Sequence, residues 1–227
     1  MDKRLAELHG RLQQTDDPND AAAAISELEA EAKVEWLPQL HAWLAQPGEF
    51  FIRESAAPAV IRLEGMAALP RLIAALRMGF AEEHDCDSLQ TDVFDLIASA
   101  PQDAARILLP MADSASAEDR EEAAWLLGFV GSAVSADVLL RLASDAEPTV
   151  RSAGCSNLTL LKGHEPAFAM LTERRSDPDS AVRVSAANAL GYFGDPRALP
   201  LLERPLQEST GHTRRLIEFA IKTLRKK

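Results

Sequence analysis

Large rings are scarce in this chain: one tyrosine, three tryptophans and eight phenylalanines in 227 residues, 5% aromatic beside 47% hydrophobic. A core of adequate size must then be built from Ala and Leu, a composition that favours stacked helices. Alternating runs of Val, Ile and Thr are missing, which argues against a sheet. No long apolar stretch occurs either. The opening residues, M-D-K-R-L-A-E-L-H-G, carry charge throughout, so neither a secretory signal nor a membrane span is read there, and the cytoplasm is the expected compartment. With only Cys86 and Cys155, neither a disulfide framework nor a zinc cage is expected. The chain also has no G-x-x-x-x-G-K-[ST] and no G-x-G-x-x-G, the two glycine patterns that cradle nucleotide phosphates.

What the chain does have is one unit repeated. Residues 177–206 begin D-P-D-S-A-V-R-V-S-A-A-N-A-L-G-Y-F-G-D-P-R-A-L-P and read as two short antiparallel helices with a tight turn. Asp177 is placed at the start of the first helix, offering a side-chain oxygen to free N–H groups, with Pro178 where a missing N–H costs nothing. Val182, Ala186, Ala189 and Leu190 recur at spacings of three and four, giving a stripe of small apolar residues that must pack closely on a neighbour. Gly191, Gly194 and Asp195-Pro196 punctuate the chain. Ala198, Leu199, Leu202 and Leu206 then mark the inward face of the second helix. Such a unit is too small to bury its own core.

The run V-R-x-x-A-A-x-A-L-G-x-x-G-D-x-x-A-L-P-x-L resembles the short HEAT-like repeat, of the kind also found in phycobilisome bilin lyases. The resemblance implies an all-α fold, a right-handed α-α superhelix of about six helical hairpins with a capping helix at each end. It also implies that most apolar positions serve packing between neighbouring repeats.

Other copies can be placed along the whole chain. Leu37-Pro38-Gln39-Leu40 matches Leu69-Pro70-Arg71-Leu72, and both match Leu199-Pro200-Leu201-Leu202. The repeats fall at roughly 19–46, 48–79, 86–112, 116–144, 147–175 and 178–207, with caps at 2–14 and 212–226, all within a single domain of residues 1–227. In the first cap Leu5, Leu8 and Leu12 face inward; in the last, Leu216, Phe219, Ala220 and Leu224 do. Cys155 occupies a position that other repeats give to Ala, so it reads as a small buried residue.

Two sets of charges stand out. Arg53, Arg120, Arg151 and Arg183 share one repeat position, while Asp145 and Asp177 lie six residues before Arg151 and Arg183. Phosphate binding is one reading of such a ladder. The favoured reading is an ion-pair ladder joining the turns of successive repeats. The net charge of -11 is concentrated between Glu82 and Glu122, where twelve acidic residues face only Arg106 and Arg120. Within that stretch Glu82, Glu83, Asp85, Asp87 and Asp92 enter the third repeat, and Glu118, Asp119, Glu121 and Glu122 enter the fourth. A solvated acidic rim explains such residues through solubility and the helix dipole. A docking surface for a basic protein explains them through charge steering and selection of partners of opposite sign.

Catalytic patterns do not emerge. His9, His41, His164 and His212 are spread over separate repeats with no nucleophile beside any of them, and A-E-E-H-D-C-D has ligand-type side chains in a single turn only. Helical-repeat DNA glycosylases need a basic face and accessible aromatics. Here the charge is acidic, and Trp36, Trp43 and Trp125 lie beside core leucines. The expectation is therefore a non-enzyme without cofactor or metal, with no nucleic-acid or membrane partner. It is a protein-binding scaffold whose acidic third and fourth repeats dock a basic protein, for which an immunity protein neutralising a toxin is a fitting setting. A bilin lyase-like subunit that handles a chromophore is the alternative implied by the repeat resemblance.

Overall fold

The computed structural model describes residues 2–208 and 210–225; the side chains of 132, 133, 204–206, 208, 212 and 213 lie outside that description. Helices make up the described chain, and no strand occurs among the described residues. Two compact units are formed, Met1–Ala104 and Ala105–Lys227.

The first unit holds α1 (Lys3–Gln14), α2 (Pro18–Glu31), α3 (Leu37–Leu44), α4 (Phe50–Glu64), α5 (Leu69–Ala81) and α6 (Asp87–Ser99). The Asp2 carboxylate caps α1 by accepting from the N–H groups of Arg4 and Leu5, which have no partner within the helix. Leu5, Leu8 and Leu12 then bury one stripe of α1. Arg4 donates to Glu27 and Glu31, and Arg11 to Asp20 and Glu27, so the apolar stripe is flanked by ion pairs to α2. In α3 and α5 the Leu-Pro pair sits in the first turn, where proline's fixed φ helps and its absent N–H is not missed. α2, α4 and α6 pack side by side as first helices of successive hairpins, with α3 and α5 as their second helices. Trp36 and Trp43 are buried among them.

α7 (Pro101–Ala112) contains the division between the units. The second unit continues with α8 (Ala117–Leu126), α9 (Ser132–Leu142), α10 (Pro148–Asn157), α11 (Glu165–Arg174), α12 (Ser180–Phe193), α13 (Leu199–Glu208) and α14 (Gly211–Leu224). Here α8, α10, α12 and α14 pack in series as one layer, and α11 packs on both α9 and α12. Small residues let these helices approach closely. A Cβ added to Gly154 would lie 2.6 Å from the main-chain N of Ala143, and one added to Gly191 would lie 2.1 Å from the Ala220 Cβ.

Several expectations are corrected. The cap of α12 is Asp179, whose carboxylate accepts from Ala181 and Val182, so the helix starts two residues later than Asp177 implied. Gly194 does serve a turn, ending α12 with φ 83°. Gly191 lies inside that helix and serves helix contact. In α14 the inward residues are Ile217, Ala220, Ile221 and Leu224, whereas Phe219 points outward. Ala220 packs directly against Gly191 of α12, a contact too close for a ring. The side chain of Leu206, and all of Lys226 and Lys227, fall outside that description.

Candidate functional site

The arginines of the shared repeat position are held at the starts of first helices, and the side chains of Arg53, Arg120 and Arg151 each join two inter-repeat turns. Arg151 donates from Nε and Nη2 to the Asp177 carboxylate, both at 3.0 Å, and from Nη1 to the carbonyls of Asp145 and Ala146 at 2.9 and 2.7 Å. Arg120 repeats this one hairpin earlier, with the Asp145 carboxylate at 2.8 and 2.9 Å and the carbonyls of Ser114 and Ala115 at 3.0 and 3.1 Å. Arg183 donates to the carbonyls of Asp177 and Pro178. In the first unit Arg53 reaches the Glu82 carboxylate at 2.5 Å and the Gln46 carbonyl at 3.2 Å.

The ladder therefore exists, with a different pairing. The aspartate six residues before Arg151 or Arg183 contributes its main-chain carbonyl to that arginine, not its carboxylate. That carboxylate already belongs to the arginine of the preceding hairpin: Asp145 to Arg120, Asp177 to Arg151. Each carboxylate also accepts a main-chain N–H, from Glu147 and Asp179 respectively, which fixes the turn that starts the next helix. Burial works against the charge on Asp177, but Arg151 and the Asp179 N–H together hold its carboxyl below the usual value. Arg120 does the same for Asp145. Arg120, Arg151 and Arg53 direct their guanidiniums at protein carboxylates and carbonyls, which is what a structural ladder requires.

The acidic residues divide into two groups. In the first unit Glu82 is engaged by Arg53 and by the Gly48 N–H, which hold its carboxyl below the usual value and place it in the ladder. Glu83, Asp85 and Asp87 are exposed around the turn before α6. That turn is fixed by the buried Cys86 and by His84, whose ring stacks on Phe50 at 4.0 Å. Asp92 is half-buried on α6, and its carboxyl is pushed up to about 6 by burial first, then by Asp95, Glu29 and Glu54. Glu54 is itself raised by burial and by Asp85. Carboxylates from α2, α4 and α6 thus act on one another. Sequence reasoning missed Glu29 and Glu54; laying the first helices side by side in repeat register would have brought them next to Asp92.

In the second unit Glu118 is exposed, and Asp119, Glu121 and Glu122 are half-buried on α8. Asp119 accepts from the Ser114 hydroxyl at 2.8 Å and gives its own N–H to Ser116, so it helps build the helix start. Cys155 is buried, and burial pushes its thiol up to about 12, which suits packing and not nucleophilic attack. A groove of about 540 Å³ lies between the start of α9 and the turn 160–164, lined in part by Asp137, Leu160, Lys162 and His164.

Residues 142–222 match the model of the family described as HEAT repeats. No curated protein matches the chain. Among solved structures it is similar to YibA from Escherichia coli, at 14% identity and a TM-score of 0.44, over 100% of this chain and 98% of that one. It is also similar to the complex of CpcE and CpcF of phycocyanin lyase from Nostoc, at 17% identity and a TM-score of 0.41, over 96% and 93% of the two chains. No described helix is long and apolar enough to cross a membrane. Residues 142–222, folded as successive helical hairpins, are thus HEAT-like, and helical hairpins with an arginine at the same position recur outside them.

Proposed function

We propose that this protein is a non-catalytic, cytoplasmic interaction scaffold whose acidic surface docks a basic protein. One observation carries the reading: Asp92 is half-buried beside Asp95, Glu29 and Glu54, and burial first, then these carboxylates, push its carboxyl up to about 6. A rim serving solubility alone gains nothing from such convergence, whereas a cationic partner would relieve it. Glu83, Asp85 and Asp87 extend the negative potential around the start of α6 and would steer encounter. Glu82 supports this surface indirectly, through Arg53. A basic toxin neutralised by an immunity protein is one partner of the required charge.

The test is capture from host lysate by the full chain and by a Glu83→Lys, Asp85→Lys, Asp87→Lys variant, at low and high salt. A basic protein held by the parent chain should be lost from the variant, and from the parent at high salt. Identical capture by both proteins would remove the acidic surface from the proposal.

A further inference from the structure

Of the seven large apolar residues exposed on the described surface, four form one row on the second unit: Phe129 (40% exposed), Leu160 (52%), Tyr192 (44%) and Phe219 (51%). Scattered exposed apolar residues need no explanation, but a row at one repeat position does. Phe129, Leu160 and Tyr192 each stand two residues beyond a fully buried leucine, Leu127, Leu158 and Leu190. Phe219 continues the row on α14. The members adjoin. A Cβ placed on Gly128 would lie 3.0 Å from Leu160 Cδ1, the segment Leu158–Leu160 packs on α12, and the Tyr192 and Phe219 rings are 6.0 Å apart. In the first unit the same repeat position holds Arg62 and Ala98, and Arg62 donates to the carbonyls of Glu29 and Ala32. The apolar row belongs to the second unit alone.

Its two ends carry opposite charge. On α8, Glu118, Glu121 and Glu122 share one face with Trp125, at the three- and four-residue spacing of a helix. On α14, Arg215 and Lys222 lie four residues before and three after Phe219, and so flank it on the same face. A strip that is acidic at one end, apolar in the middle and basic at the other is complementary to itself when turned end for end. That is the condition for a two-fold interface. Four helices at the usual 8–10 Å spacing give a strip about 30 Å long.

From this we infer that the row is the dimer interface of the protein, and that its occupant is a second copy of this chain. The copies run antiparallel across the row. Phe129 of one copy faces Phe219 of the other, Leu160 faces Tyr192, and the α8 carboxylates of each lie on the side of Lys222 of the other. The inference does not depend on the acidic surface of the first unit, since Glu83, Asp85 and Asp87 take no part in it.

Sedimentation equilibrium on the full chain, from micromolar to millimolar concentration, should give twice the chain mass. Leu160→Asp and Tyr192→Asp should each weaken association about thirtyfold or more, while leaving the helical circular dichroism unchanged because both residues are exposed. Two charge variants, Glu118→Lys with Glu121→Lys and Arg215→Glu with Lys222→Glu, should each be monomeric alone and associate when mixed. Simple misfolding cannot be rescued by mixing. A parent chain that stays monomeric throughout, or a dimer that survives Leu160→Asp, would overturn the inference; a monomer would leave the row to a different protein.

Discussion

Arg151 and Asp177 come from adjacent repeats and form a buried, two-pronged ion pair, with both N···O distances at 3.0 Å and the aspartate side chain only 1% exposed. The pair carries the join between two hairpins, because the same guanidinium closes the preceding turn through the Asp145 and Ala146 carbonyls. Removing one partner leaves the other charge buried without compensation. Asp177→Ala should therefore cost about 3–5 kcal/mol of stability in urea unfolding. Glu165→Ala, which removes the exposed partner of Arg197, should cost far less. Equal losses at the two sites would show that the ladder does not hold the repeats together.

Glycine substitutions should separate close contact from backbone freedom. Gly191→Ala drives a methyl into Ala220, and Gly154→Ala drives one into the main chain of Ala143. Each should destabilise by about 1–3 kcal/mol as its helix is pushed outward. Gly10 lies within α1 and has nothing within 4 Å of an added Cβ. Gly10→Ala should stabilise by about 0.5–1 kcal/mol. Thermal unfolding of the three variants checks both signs at once.

Asp92 and Asp177 should give opposite pH dependences. The Asp92 carboxyl is raised from 3.8 to about 6 in the folded chain, so its contribution is present in full below 3.8 and is lost as the pH rises through about 6. Asp92→Asn should then stabilise by about 1 kcal/mol at neutral pH, after screening by solvent, and give no gain in acid. Asp177 is lowered, so its contribution is present above the ordinary carboxyl value and disappears as the pH falls through the folded one. Unfolding free energies of the parent and of each variant across the acid range report both effects. A pH-independent difference for Asp92→Asn would show that the Asp92 carboxyl is not raised in the folded chain.

Thiol labelling tests the burial of Cys155. With its thiol pushed up to about 12, it should react with a disulfide reagent only as fast as the second unit opens, and denaturant should speed the reaction. Rapid labelling of Cys155 in native buffer would contradict the packing around α10.

The local pattern of this sequence determined its helices. Recurrent Ala and Leu at spacings of three and four, Leu-Pro at the starts of second helices, and one shared arginine position are all short-range signals, and hairpins appear where they lie. The paired ladder was legible as a set of residues, but not as a set of bonds. Asp145 is near Arg151 in sequence, yet its carboxylate goes to Arg120, because the distance that matters is set by how one hairpin stacks on the next. Tertiary structure alone decided which face of α14 turns inward, which glycines mediate contact, and that Glu29, Glu54 and Asp92 influence one another across three helices. Periodicity along a helix tells which residues share a side. What that side meets depends on its neighbours, and in a repeat protein those lie about thirty residues away.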